Sequence, residues 1–184
     1  MADKAKGADR FSAALRRRDG LAAGAVVKGR WEVECRGPDG KVKWRDHIDN
    51  LVVNAGLDYL LSAGLAAGSQ ITSWYVGLTS ASPTPAAADT LASHSGWTEI
   101  TDYDGSRKAW TAGAVSGRSV DNAGSPASFD ISGSASVGGA FLASAASGTS
   151  GTLYSAGAFA GGNKSVGSGD TLVVTSTFTQ AAAS

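Results

Sequence analysis

A single cysteine, Cys35, is all the thiol in this 184-residue chain, which excludes an internal disulfide and any cysteine-built zinc site. There are only two histidines, His47 and His94, too far apart in the chain to form a zinc spacing. No segment approaches the roughly 18–20 consecutive apolar residues of a membrane span. The opening MADKAKGADRF places charges where a secretory signal has its apolar run, so synthesis and assembly in the cytoplasm are expected, without a membrane partner. Sixteen basic and sixteen acidic residues cancel, leaving no global field to attract nucleic acid. After Lys108 the only charged residues are Arg118, Asp121, Asp130, Lys164 and Asp170. A surface that poor in charge stays soluble through hydroxyls and glycine or is covered by neighbours.

Recognisable reaction motifs are also missing. There is no G-x-S-x-G nucleophile turn. The glycine-rich turns at Gly161-Gly162-Asn163 and Gly167-Ser168-Gly169-Asp170 match neither a dinucleotide fingerprint nor a phosphate loop. Asp102-Tyr103-Asp104-Gly105 opens like a calcium loop but lacks its later ligands and closing glutamate. No catalytic, cofactor-binding or metal-binding residue is assigned, which points away from an enzyme.

What the chain does have is glycine, 25 residues, about twice the usual share of roughly 7%. Two stretches differ in kind. Residues 1–24 carry six basic against three acidic side chains, among them Lys4, Lys6, Arg10 and Arg16 to Arg18, and predict a basic N-terminal arm. Residues 25–184 predict one β domain. In it, Trp31, Val33 and Cys35 alternate with Arg30, Glu32, Glu34 and Arg36, a period of two that marks a half-buried strand. The turn Gly37-Pro38-Asp39-Gly40 returns the chain through Val42 and Trp44, so Trp31 and Trp44 are expected to meet across a hairpin. Asn54 stands as the N-cap of the one helix. Its apolar face is expected at Leu57, Leu60, Leu61 and Leu65, with Gly68 as its stop. Further strands are expected over 71–79, 108–116, 119–120, 128–132, 136–143, 152–159 and 170–179. In the last, Leu172, Val174 and Phe178 face inward. Short strands at this spacing predict an all-β fold, an antiparallel β-sandwich of jelly-roll type with one short helix and an N-terminal arm.

Asp89 to Tyr103, DTLASHSGWTEITDY, concentrates the rare residue types. Glu99 and Asp102 could be imagined as paired carboxylates, yet no aromatic-lined cleft is indicated beside them. The expectation is instead that Asp89, His94, Trp97 and Glu99 are structural loop anchors. Trp97 would sit in the core, Asp89 would start a turn, and His94 and Glu99 would satisfy backbone groups.

The order Asn50-Leu51-Val52-Val53-Asn54-Ala55-Gly56, Trp74-Tyr75-Val76-Gly77-Leu78, Asp89-Thr90-Leu91, then His94-Ser95-Gly96-Trp97-Thr98-Glu99 with Tyr103 and Arg107, resembles a family of small tailed-bacteriophage structural proteins. The likeness continues through Val120-Asp121-Asn122, Gly139-Ala140-Phe141-Leu142 and Gly169-Asp170-Thr171-Leu172. It covers roughly residues 30–180, and its His-x-Gly-Trp-x-Glu core is the most specific part. The resemblance implies a virion component on the outer capsid surface: a head decoration or cement protein bound to the major capsid protein, with a dimer or trimer of the chain as the expected unit. The arm is longer and more basic than the family pattern, and Arg10, Phe11, Leu15, Arg16, Arg17 and Arg18 are its candidate capsid contacts. Two rivals carry distinct expectations. A tail or fibre module binding a host-surface glycan would expose Trp110 or Tyr154 at a cleft. An enzyme acting on cell-wall polymer would lose turnover in Glu99→Gln.

Overall fold

The computed structural model describes residues 25–182; the candidate capsid contacts of the arm lie outside them. Among the described residues eleven strands and one helix follow in the order β1 (Ala25–Arg36), β2 (Val42–Val52), α1 (Asn54–Leu65), β3 (Trp74–Thr79), β4 (Lys108–Trp110) and β5 (Ser119–Asp121). They continue as β6 (Ala127–Asp130), β7 (Ala135–Val137), β8 (Gly139–Ala143), β9 (Leu153–Ala158), β10 (Lys164–Val166) and β11 (Thr171–Ala182). Nine form one sheet in the order β4-β3-β8-β9-β2-β1-β11-β5, with β6 also on β11, while β7 and β10 make a separate two-stranded ribbon. The expected all-β antiparallel body with one short helix is what the described residues form.

The sheet curls so that its two ends face each other, sandwich fashion. β2 is the strand that turns the corner. Its first part pairs with β1, Gly29 opposite Asn50 through Cys35 opposite Trp44, and its last residues Leu51 and Val52 pair with Ala156 and Ser155 of β9. Aromatic edge-to-face contacts bind the facing halves. Phe178 of β11, beside Trp31 of the neighbouring β1 at 6.3 Å, meets Trp110 at 5.9 Å and Tyr154 at 5.1 Å across the core. Ser176, two residues earlier on the same face, accepts the Trp110 indole N–H at 2.6 Å. The inward set Leu172, Val174 and Phe178 is as the period of two predicts.

The hairpin differs from expectation in one detail. Trp31 lies opposite Ile48, and Trp44 lies opposite Cys35, so the two tryptophans do not meet; Trp44 packs on Phe159 at 5.8 Å instead. The turn at Gly40, with φ of 76°, fixes that register. On the outer face Glu34 takes both Arg36 and Arg45, and Arg30 takes Glu32 and Asp49. That surface is ion-paired within itself.

The helix is where the sequence expectation fails most clearly. Val53, not Asn54, occupies the N-cap position, without a side-chain cap. At the other end Ala67, with φ of 53°, takes the left-handed conformation, while Gly68 donates its N–H to Ser62 O at 2.9 Å. The face is also turned. Gly56 is buried against the backbone of β9, and a Cβ there would overlap the Tyr154 carbonyl. With Gly56 pointing inward, helical spacing brings Tyr59 and Leu60 to the same side. It leaves Leu57, Leu61 and Leu65 away from the sheet, 37%, 59% and 85% exposed.

The strand expected over 136–143 is split at Gly138. Its N–H reaches Thr79 O at 2.8 Å, and its α-carbon lies so close to Ala81 and Ser82 that no side chain fits. β7 therefore leaves the main sheet to pair with β10, which alternation did not mark. Glycine's missing Cβ permits this backbone approach.

Candidate functional site

β8 is buried along its whole length, on both faces. Ala140 and Leu142 join the main core, while Phe141 and Ala143 join a second cluster with Val53, Leu91, Trp97, Leu153 and Ala156. The stretch 89–103 thus forms a roof over the outer side of the sheet, tied down by bridges from Thr79 to Glu99 and from Tyr103 to Ile131. Trp97 sits on Phe141 with ring centroids 5.0 Å apart, and His94 stacks flat on Trp97 at 3.6 Å and 6°. Asp89 closes its turn by accepting the Ala86 N–H at 2.9 Å.

At the centre of the roof is Arg107. Its side chain is 3% exposed, and its interactions join it to Glu99, to β8 and to the loop that follows β8. Nε and Nη2 donate to the two carboxylate oxygens of Glu99 at 2.8 and 2.7 Å. Nη1 donates to Ala145 O at 2.9 Å and Nη2 to Gly148 O at 2.7 Å, while the guanidinium lies 4.9 Å from the Phe141 centroid. A guanidinium's rigid fork suits two carboxylate oxygens and two loop carbonyls at once. Glu99 was expected to satisfy backbone groups; its partner is Arg107. His94 was expected to do likewise, but His94 Nδ1 and Trp97 Nε1 are buried without a protein hydrogen-bond partner. Arg107 stood in the family-like residue order without a role of its own. Its spacing of eight from Glu99 gives no local pattern, and its carbonyl acceptors lie about forty residues further on.

Chemically, this arrangement is a clasp. Both Glu99 oxygens are committed to a cation, which opposes a role as proton acceptor. A cavity of about 250 Å³ beside it is lined by His94, Trp97, Glu99 and Arg107. Tyr103 of the roof is buried, and desolvation, with Glu99 nearby, pushes its phenol up to about 12. Among the described residues no three His, Cys, Asp or Glu side chains converge as metal ligands.

A second charged contact locks the start of β11 to the hairpin. Asp170, 2% exposed, accepts Lys43 Nζ at 2.6 Å and the Gly167 N–H at 2.8 Å. Burial opposes ionisation of Asp170 more than any single contact favours it, yet the Lys43 and Gly167 hydrogen bonds together hold its carboxyl below the ordinary 3.8. Asp46, bonded to the His47 and Gly161 N–H groups and to Lys164, is lowered by the same balance. Cys35 nearby is pushed up to about 11 by burial, with Asp170 adding, and so remains an inert packed thiol at neutral pH. A carboxyl with a lowered folded-state value stabilises fully above its unfolded value and loses that contribution as pH falls through the folded one. Asp170→Asn is therefore expected to be less stable than wild type at pH 7 and to lose less further stability between pH 5 and pH 2, as measured by urea unfolding. Equal loss in both proteins over that range would contradict the role given to Asp170.

Another concavity lies elsewhere. A groove of about 740 Å³ runs past the start of β3 and the end of β4, lined by Tyr59, Gln70, Thr72, Ser73, Trp74, Tyr75, Trp110 and Thr111 among others. Trp110 is half-buried there, whereas Tyr154 is buried in the core. No protein-family model matches the chain, and no curated protein matches it either.

Proposed function

We propose that this protein is a bacteriophage capsid decoration or cement protein that binds the outer head shell and stabilises it by bridging capsid subunits. It acts by adhesion rather than by catalysis. The observation that carries the reading is the stripe of Leu57, Leu61 and Leu65, exposed on a helix whose other side is already docked. Leucines in register on a folded surface call for a covering partner. The resemblance of the residue order to that of phage structural proteins suggests the major capsid protein as that partner, with a dimer or trimer of this chain as the binding unit. Bridging stabilises a shell because separating its subunits then requires breaking the added contacts as well. The rare polar residues suit this role, since Arg107 and Glu99 hold loops rigid and a rigid adhesive loses little entropy on binding.

Burying one leucine side chain is worth roughly 1.5–3 kcal/mol, so loss of even one of the three should weaken binding about tenfold or more. The triple variant Leu57→Ser, Leu61→Ser, Leu65→Ser is expected to fold normally and to occupy purified heads at least tenfold less at limiting concentration. Deletion of residues 1–24 is expected to reduce occupancy too, through loss of Arg10, Phe11, Leu15 and Arg16 to Arg18. Full occupancy by the leucine variant would remove the helix from the interface, and full occupancy by the truncated chain would remove the arm.

A further inference from the structure

Trp74 and Trp110 lie directly opposite each other across the β3–β4 pair. They line two adjoining spaces: the 740 Å³ groove, and an apolar cavity of about 150 Å³ that also touches Tyr59, Leu142, Tyr154 and Phe178. The groove lies within the roughly 300–1,000 Å³ of small-molecule sites. Its chemistry is specific in two respects. Not one of its lining residues is charged, which disfavours phosphates, nucleotides and acidic or basic peptides. Half-buried aromatic rings, Trp74, Tyr75 and Trp110, share the lining with the amide of Gln70 and the hydroxyls of Thr72, Ser73 and Thr111. A pyranose ring has the matching form, an apolar face of C–H bonds that packs on an aromatic ring and a belt of hydroxyls that exchange hydrogen bonds with neutral polar groups.

From this pairing we infer that the groove binds an uncharged saccharide chain bearing a small apolar substituent, an N-acetyl or deoxymethyl group, which enters the adjoining cavity lined by Trp74 and Trp110. Sugar rings lie along the aromatic wall, and the substituent methyl displaces solvent from a space whose lining offers it only carbon contacts and ring faces. An unsubstituted glucan fits the groove but leaves the cavity unfilled. The site is distinct from the exposed leucine stripe of α1. It goes beyond attachment to a shell, since an anchored protein with such a groove would also display a saccharide receptor.

The test is titration of the full chain, free of phage heads, with chitotetraose, a rhamnose tetrasaccharide and cellotetraose, followed by tryptophan fluorescence and calorimetry. Chitotetraose or the rhamnose oligomer is expected to perturb the tryptophan signal and to bind at least tenfold more tightly than cellotetraose. Tyr75→Ala, which removes a ring outside the aromatic contacts of the core, should weaken that binding at least tenfold with an unchanged circular dichroism spectrum. Trp110→Phe, keeping a ring against Phe178, should weaken it by a smaller factor. The inference is overturned if none of the three sugars binds, if cellotetraose binds as well as the substituted probes, or if Tyr75→Ala binds undiminished. It is equally overturned if decaproline occupies the groove in preference to all three, since the groove is then a peptide site. Shell binding plays no part in this assay, so either proposal can fail without the other.

Discussion

Replacing Arg107 with alanine is expected to lower stability by roughly 3–5 kcal/mol, the usual cost of removing one partner from a buried ion pair. The size follows from what is left behind. Glu99, 25% exposed, would lose its counter-ion, and the Ala145 and Gly148 carbonyls would each lose their donor. For a chain of this length each kcal/mol moves the melting temperature by roughly 2–4 °C, so a fall of about 6–20 °C is expected by calorimetry. Hydrogen exchange should rise first in residues 144–151, whose carbonyls Arg107 holds. Arg107→Lys should recover only part of the loss, because an ammonium cannot span two carboxylate oxygens and two carbonyls at once. A change below about 1 kcal/mol in Arg107→Ala would mean that the clasp contributes little and that Glu99 is free for other work.

The second large effect is expected at Phe141. Its ring lies beneath both Trp97 and the Arg107 guanidinium, in a strand buried on both faces. Phe141→Ala should cost about 3–5 kcal/mol, the range for deleting a fully buried aromatic. Because Phe141 and Arg107 touch, the double variant should depart from the sum of the singles by roughly 0.5–3 kcal/mol. Additive losses would show that roof and clasp are independent, contrary to the packing described above. Together with total stabilities of roughly 5–15 kcal/mol for folded domains, these figures make the roof a principal support of the body.

How far the sequence foretold this differs from one element to the next. The hairpin was legible because Gly37-Pro38-Asp39-Gly40 fixes a turn locally and Arg30 to Arg36 alternate strictly. β11 was legible for the same reason. The helix was legible as a helix, since its residues favour one, but its orientation was not. Leu57, Leu61 and Leu65 make a better apolar stripe than Tyr59 and Leu60 do, and only the close approach of Gly56 to Tyr154 decides which stripe turns inward. A pattern of hydrophobicity reports what prefers burial, and long-range packing decides what obtains it. The split at Gly138 stayed hidden because it turns on the close approach of its backbone to Ala81 and Ser82, and the short strand Lys164–Val166 because its partner Ala135–Val137 reads in the sequence as part of one longer strand. At the roof, the weight placed on residues 89–103 picked out Trp97 and Glu99. Arg107 gained its meaning only when loops some forty residues apart in the chain came together.

The proposed adhesive role rests on the exposed leucines of α1 and on a clasp whose Arg107 and Glu99 are paired with each other. The most direct test is a cryo-electron microscopy reconstruction of phage heads saturated with the full chain. Density for the β body on the outer shell, contacting at least two capsid subunits with the Leu57–Leu65 face turned toward them, is the predicted result. Density at the tail, or heads left bare at saturating protein, would contradict it.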